Sequence, residues 1–280
     1  MKTIFGLSFI TLLLLLWTSC STDQSTIEYG SNNGKHFTIL NTKIYYEEYG
    51  KGTPLILLSG GGLDRSIKDF EKCIPELAKH YRVIAPDSPG QGRSEQADTL
   101  TYNVLLEFMS QFVDSLKIDS AYIIGWSDGG ITGLLLAEKK SDKIKKVIAV
   151  GANNGLRRAI PQHIPIDSVV PMSLDLWETR NKESIEHYMK KLPRDWKKQV
   201  SDLNKMVYQK ESYFSDSIYQ RITIPLMIVL GDKDEIIVEH GLEMHRMIKG
   251  SQFCVLPNTT HEVFSERPDL INKIALEFFK

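Results

Sequence analysis

An apolar run, Ala121-Tyr122-Ile123-Ile124, leads directly into Gly125-Trp126-Ser127-Asp128-Gly129-Gly130. An apolar run of helical spacing, Ile131 to Ala137, leads directly out. A serine therefore stands at a strand-to-helix junction, with glycine two residues away on either side. This is the G-x-S-x-G pattern of a nucleophile elbow. The reason for the glycines is steric. So tight a turn holds Ser127 in a strained backbone conformation, and side chains at 125 and 129 would collide with the chain packed beside them. The turn lifts Ser127 Oγ above the sheet edge, at a helix N-terminus where negative charge is favoured.

The segments around this junction fit an α/β domain. His36 to Tyr49 reads as two alternating strands around Asn41-Thr42, a hairpin. Pro54 to Leu58, Arg82 to Ala85, Lys146 to Val150 and Pro225 to Leu230 are apolar runs of strand length, the mark of strands buried on both faces. Between them lie helical patterns at Ile67 to His80, Tyr102 to Leu116 and Val238 to Ile248. Gln252 to Leu256 is a last strand, and Pro268 to Phe279 a closing helix with proline well placed in its first turn. Such alternation predicts a mainly parallel central sheet with helices on both faces. From 152 to 219 the alternation stops. Trp177, Tyr188, Trp196, Met206 and Tyr208 stand among charged residues at helical spacing, with helices expected over Asn181 to Lys191 and Arg194 to Lys210. We read 152–219 as a helical cap inserted into a core formed by 36–151 and 220–280.

The N-terminus has a different purpose. Lys2 supplies a positive charge, and Ile4 to Trp17 is almost wholly apolar. As a helix that stretch rises only about 21 Å, short of a bilayer core of roughly 30 Å. Residues 1–20 therefore read as a signal peptide rather than a membrane span. Thr18-Ser19-Cys20, followed by Ser21-Thr22-Asp23-Gln24, resembles a bacterial lipobox, although Trp17 stands where such boxes usually carry leucine. The resemblance implies lipidation at Cys20 and export to the cell envelope, facing the periplasm or the exterior. Contact with the membrane would be through that anchor alone. Ordinary secretion and an uncleaved short anchor are the alternatives. Residues 21–35 are polar and rich in Gly, Asn and Ser, which predicts a flexible tether. Beyond Cys20 only Cys73 and Cys254 remain, both expected as small hydrophobes rather than a bridge. A formal net charge of −1 gives no electrostatic reason to expect nucleic acid. No metal site is suggested by the cysteine spacing, and no cofactor is expected.

In an open parallel sheet, ligands bind beyond the C-terminal ends of the strands. At those ends stand Gly60-Gly61-Gly62, Ser127, Asp234 and His261. A serine hydroxyl needs a base, which His261 can supply, and Asp234 would hold the other imidazole nitrogen. An oxyanion formed on attack needs N–H donors. Asp128, next after the serine, gives one, and Gly61 is the candidate for the other. Asp232 competes with Asp234, but it lies one residue past Gly231 and reads as a turn residue. Asp87 reads likewise as a turn and hydrogen-bonding residue. The triple glycine lacks the Gly-Lys-Ser/Thr of a phosphate loop. His240 and His245 are expected on a helix surface, and Lys190, Lys191, Lys197 and Lys198 on a solvated face. His36, His80, His163 and His187 have no partner legible in the sequence.

The order Ser, Asp, His, the elbow, the loop Asp87-Ser88-Pro89-Gly90-Gln91-Gly92-Arg93-Ser94, Gly231 to Asp234 and the terminal His261 together resemble the α/β-hydrolase superfamily over about 34–280. Gly125 to Gly133 and Val147 to Asn153 are similar to the valacyclovir hydrolase (biphenyl hydrolase-like) enzymes, which cleave α-amino acid esters. That resemblance implies recognition of a substrate ammonium by Asp128. A helix-start carboxylate that only complements the dipole is the alternative. Many relatives carry His-Gly where this chain has Ser59-Gly60, which implies different hydrogen bonding behind the oxyanion donors. The cap has no recognisable match. The expectation is a serine esterase acting on a small-molecule carboxylic ester through an acyl-enzyme. An aminopeptidase or amidase, a C–C bond hydrolase on the same fold, and a catalytically silent binding module are the rivals.

Overall fold

The computed structural model describes residues 27–209 and 211–280. The expected signal peptide, Cys20 and the first residues of the expected tether lie outside the described residues. Eight strands form one sheet among the described residues: β1 (Lys35–Ile39), β2 (Thr42–Tyr49), β3 (Pro54–Leu58), β4 (Arg82–Pro86), β5 (Ala121–Trp126), β6 (Ile144–Val150), β7 (Leu226–Gly231) and β8 (Gln252–Leu256). Their order is β1-β2-β4-β3-β5-β6-β7-β8. Pairings β1–β2 and β2–β4 are antiparallel, and the rest are parallel. The hairpin turns at Leu40-Asn41, both with φ near +50° to +60°, and Thr42 already pairs with Ile39. Two consecutive positive φ values match the right-handed twist of the flanking strands.

The apolar runs become strands because each has two faces to cover. In β3, Leu55 and Leu57 pack into one core and Ile56 and Leu58 into the other. The same period of two divides Ile123 from Ile124, Val147 from Ile148 and Met227 from Ile228. One core is roofed by α2 (Tyr102–Ser115), α3 (Asp128–Lys139) and α9 (Val238–Met247). The other is closed by α1 (Ile74–Leu77), α10 (Val263–Glu266) and α11 (Pro268–Phe278). Full burial of each such Leu or Ile contributes about 1.5–3 kcal/mol, and a strand slipped by one residue would send every side chain to the opposite core and mispack both.

Between β6 and β7 come α4 (Leu156–Ala159), α5 (Leu174–Arg180), α6 (Lys182–Lys191), α7 (Trp196–Val207) and α8 (Ser217–Arg221). Helix α7 starts two residues later than the apolar spacing predicts, because Asp195 caps it by accepting the Lys198 N–H at 3.0 Å. Trp177 and Trp196 stack at 6.1 Å in a small cluster with Ile185, Tyr188 and Val200. Leu63, from the loop after β3, belongs to the same cluster and joins this helical layer to the sheet.

Three expectations need correction. Residues 27–34 do not hang free. Gly30 and Asn32 donate their N–H groups to the buried Glu47 at 2.9 and 2.7 Å, and Tyr29 packs on Tyr49. Glu47 also accepts the Tyr45 and Tyr49 hydroxyls, so one carboxylate of β2 holds the segment. His240 is not a surface residue. It is 2% exposed, its Nε2 accepts the Asn154 N–H at 3.0 Å, and its Nδ1 lies 2.9 Å from Glu243. Lys198 is half-buried and donates to Ala97 O, whereas Lys190, Lys191 and Lys197 are exposed. Cys73 and Cys254 are both free.

Candidate active site

Ser127 has φ 53° and ψ −119°, an unfavourable region for a residue with a side chain that costs about 1–3 kcal/mol. The surroundings enforce it. Its N–H donates to Val150 O at 2.8 Å, and its carbonyl accepts the Ile131 N–H at 2.9 Å as α3 begins. The flanking glycines answer to space. A Cβ on Gly125 would stand 2.2 Å from Gly129 O, and one on Gly129 would stand 2.1 Å from Leu58 O.

Asp234 and His261 come together from the loops after β7 and β8. His261 Nδ1 lies 2.8 Å from Asp234 Oδ1, and the Asp234 side chain is fully buried. That oxygen also accepts the Ile236 N–H at 3.0 Å, which fixes the carboxylate. Burial pulls the imidazole pKa down, but the Asp234 hydrogen bond and charge, with Glu235 and Glu262, leave it above the ordinary histidine value. Asp232 plays another part: its Oδ1 accepts the Thr259 N–H at 2.9 Å and so joins the two loops. Trp126 Nε1 donates to His261 O at 2.9 Å, tying the elbow to the histidine loop. Gly151, at the end of β6, makes room for the pair. Its φ is +60°, and a Cβ there would stand 2.7 Å from His261 Cε1.

Gly61 and Asp128 are adjacent. A Cβ on Gly61 would fall 2.0 Å from Asp128 Oδ2, so only glycine fits beneath that carboxylate. Asp128 is 8% exposed, and Tyr102 donates its hydroxyl to Oδ1 at 2.8 Å. Burial raises the Asp128 pKa, against the Tyr102 hydrogen bond and the His261 charge, which lower it. Tyr102 opens α2, packs 4.4 Å from Tyr213, and is thereby linked to the helical layer, since Tyr213 donates to Val207 O. Behind the glycine loop, Ser59 Oγ donates to Gln91 Oε1 at 3.2 Å and Gln91 Nε2 donates to Gly60 O at 2.8 Å. Gln91 thus braces the loop at the point where the Ser59-Gly60 pair departs from His-Gly. Asp87 is fully buried and accepts the N–H groups of Ile67 and Arg93 at 2.9 and 2.7 Å.

Ser127, His261, Asp128 and Gly61 line one cavity of about 720 Å³. Its upper wall comes from the helical layer, with Trp177, Val200, Leu203, Val207 and Tyr208. A mostly apolar enclosure with a few converging polar groups suits a medium-sized organic substrate. Among the described residues no group of three or more His, Cys, Asp or Glu is placed to hold a metal. Tyr102 and Gly151 escaped the sequence reading. The pairing of Tyr102 with Asp128 spans 26 positions and leaves no local pattern. Gly151 did carry a signal, a glycine directly after a buried strand.

Residues 53–182 match the sequence model of the alpha/beta hydrolase fold family. The chain has the α/β-hydrolase fold. It is 25% identical over 256 residues to the human protein "Serine hydrolase BPHL", covering 85% of this chain and 83% of that one. It is also 25% identical over 258 residues to the 2-hydroxy-6-oxo-6-(2'-aminophenyl)hexa-2,4-dienoic acid hydrolase of Metapseudomonas resinovorans, covering 83% and 86%. Among solved structures, a serine hydrolase involved in carbazole degradation (CarC enzyme) superposes with a TM-score of 0.72 at 22% identity, covering 88% of this chain and 98% of that one. At that identity the superposition establishes the α/β-hydrolase fold and nothing finer.

Proposed function

We propose that this α/β-hydrolase is a serine hydrolase cleaving a small-molecule carboxylic ester through Ser127, His261 and Asp234. The observation that carries the reading is His261 held by the fully buried Asp234 and lining the same cavity as a serine in the strained elbow conformation. With its Nδ1–H directed to Asp234, the neutral imidazole leaves Nε2 as the proton acceptor. Ser127 Oγ attacks the ester carbonyl as Nε2 takes its proton. The oxyanion is held by the backbone N–H groups of Gly61 and Asp128, each such donor contributing about 3–4 kcal/mol of transition-state stabilisation. Collapse expels the alcohol, protonated by His261, and leaves an acyl-enzyme. A water activated by the same imidazole then releases the acid.

The finer choice of substrate turns on Asp128. A buried carboxylate with one hydroxyl partner, beside the oxyanion donors, suits the ammonium of an α-amino acid ester. Amide and C–C bond cleavage use the same attacking groups, and a relative at 25% identity is named for cleaving a 2-hydroxy-6-oxodienoate, which keeps C–C hydrolysis as the second reading. The test is short p-nitrophenyl esters with wild type and Ser127→Ala, alongside free and blocked aminoacyl esters, aminoacyl amides and a vinylogous 2-hydroxy-6-oxodienoate. Ester turnover lost in the variant supports the reading. Equal rates overturn the assignment of Ser127, and a protein that a fluorophosphonate probe cannot label is a binding module. For location we propose export, with lipidation at Cys20.

A further inference from the structure

Arg65 stands where three separate segments meet. Its backbone belongs to the loop after β3, four residues beyond Gly61. Its guanidinium lies 4.3 Å from the centroid of the Trp126 ring, the residue before Ser127. Its Nη2 and Nη1 reach the two carboxylate oxygens of Glu262, the residue after His261, at 2.6 and 3.3 Å. Asp69 lies 3.6 Å from Nη1 and is itself fixed by the capping box it forms with Ser66. Arg65 and Glu262 both line the cavity that holds Ser127 and His261.

We propose that Arg65 is a positioning residue: its fork to Glu262, laid over Trp126, sets the placement of the Gly61 oxyanion loop relative to the His261 loop. The proposal rests on the serine-hydrolase reading. Two features argue that the contact acts through geometry. The paired side chains are 31% and 41% exposed, too open to water for a large share of the stability. Yet the contact is bidentate, ring-stacked and placed one residue from each of the two reacting side chains, an arrangement that only the planar guanidinium fork can make. A direct substrate contact through Arg65 is disfavoured, because its Nη donors already face Glu262 and Asp69. The contact also closes a circuit. Trp126 is hydrogen-bonded to His261 O, so elbow, oxyanion loop and histidine loop are each tied to the other two.

The test compares wild type, Arg65→Ala, Arg65→Lys, Glu262→Gln and Arg65→Ala/Glu262→Gln. Each is assayed for fluorophosphonate labelling rate, for kcat and KM on p-nitrophenyl esters, and for thermal melting. Small misplacements of reacting groups are costly, so we expect roughly ten- to thirty-fold losses in labelling rate and kcat for Arg65→Ala and Glu262→Gln, with KM within about two-fold. Arg65→Lys should recover only part of the loss. The double variant should be no slower than the slower single, because both changes break one contact. The proposal is overturned if the single variants label within two-fold of wild type, if the losses multiply in the double variant, or if the effect falls on KM alone. A wild type that does not label at Ser127 overturns the serine-hydrolase reading and this proposal with it. Loss of melting stability in parallel with loss of rate across all variants would reduce Arg65 to a structural contact and overturn the proposal alone.

Discussion

Gly151 lies against the imidazole of His261 so closely that a Cβ there would stand 2.7 Å from Cε1 and 3.0 Å from Nδ1. The glycine is thus a wall of the histidine site, though it lies just past the end of β6 and carries no reactive group. We expect Gly151→Ala to displace the ring from Asp234 and lower kcat by about a hundred-fold. The fold should lose little by comparison, since an alanine held in the left-handed region costs about 1–2 kcal/mol. Steady-state kinetics beside a melting curve checks this. A variant as fast as wild type would mean that the imidazole has room to shift without penalty.

In the proposed mechanism Asp234 sets the acid limb of activity. His261 must be neutral to accept the serine proton, and its pKa is raised above the ordinary value, chiefly by Asp234 against the effect of burial. Activity should therefore rise with pH through a point above about 6.5. The same shift makes folding stability greatest below the unfolded histidine value and reduces it as pH rises through the folded one. Asp234→Asn should lower kcat by about 10⁴-fold, as expected when the imidazole loses its tautomer control. The residual acid limb should move to lower pH, read from the pH profile of kcat/KM.

Tyr102 is expected to act on Asp128 rather than on the ester. Tyr102→Phe removes the hydroxyl donated to Oδ1 and favours the neutral acid. If Asp128 receives an ammonium, kcat/KM for free aminoacyl esters should fall about ten-fold against the N-blocked esters, the size of one lost hydrogen bond to a charged group. An unchanged ratio in both Tyr102→Phe and Asp128→Asn would return Asp128 to the role of a helix-start carboxylate.

Asp87 gives a pH dependence away from the cavity. Burial raises its pKa to about 7 despite the N–H groups of Arg93 and Ile67. Because the folded value exceeds the unfolded one, the contribution is fully present below pH 4 and is lost as pH rises through about 7. Wild type should lose more melting stability between pH 5 and pH 8 than Asp87→Asn does. The variant is less stable throughout, since an amide cannot accept two N–H groups as well as a carboxylate does. Parallel curves would assign the slope to other groups.

The export proposal is read by mass. We expect a mature chain that begins at Cys20 and carries acyl groups, and a Cys20→Ser variant recovered unacylated. An unmodified chain beginning at Met1 ends the proposal.

What the sequence made legible was local or periodic. The elbow was visible because strand, turn and helix are contiguous, and the collisions expected at 125 and 129 are those found at Gly129 O and Leu58 O. Asp234 could be separated from Asp232 by its distance past the strand. Contacts that join distant segments stayed hidden. Glu47 fastens Gly30 and Asn32 from β2, a charged residue in an otherwise alternating strand whose purpose depends on what folds over it. His240 has helix-surface neighbours in sequence, and the N–H that its buried Nε2 accepts comes from Asn154, 86 positions away. Arg65 reads as one more loop charge until Glu262, 197 positions on, is placed beside it.

The carboxylate of Glu47 also decides how far this enzyme could roam. If the proposed acyl group sits on Cys20, nine residue steps separate it from the fastened Tyr29, a span of at most about 30 Å. A folded chain of about 250 residues has a radius of gyration of about 18 Å, so its breadth exceeds that span. On so short a leash it would graze the bilayer rather than swing above it, and esters dissolved in or shed from the lipid would meet it at a local concentration that no freely diffusing copy could match.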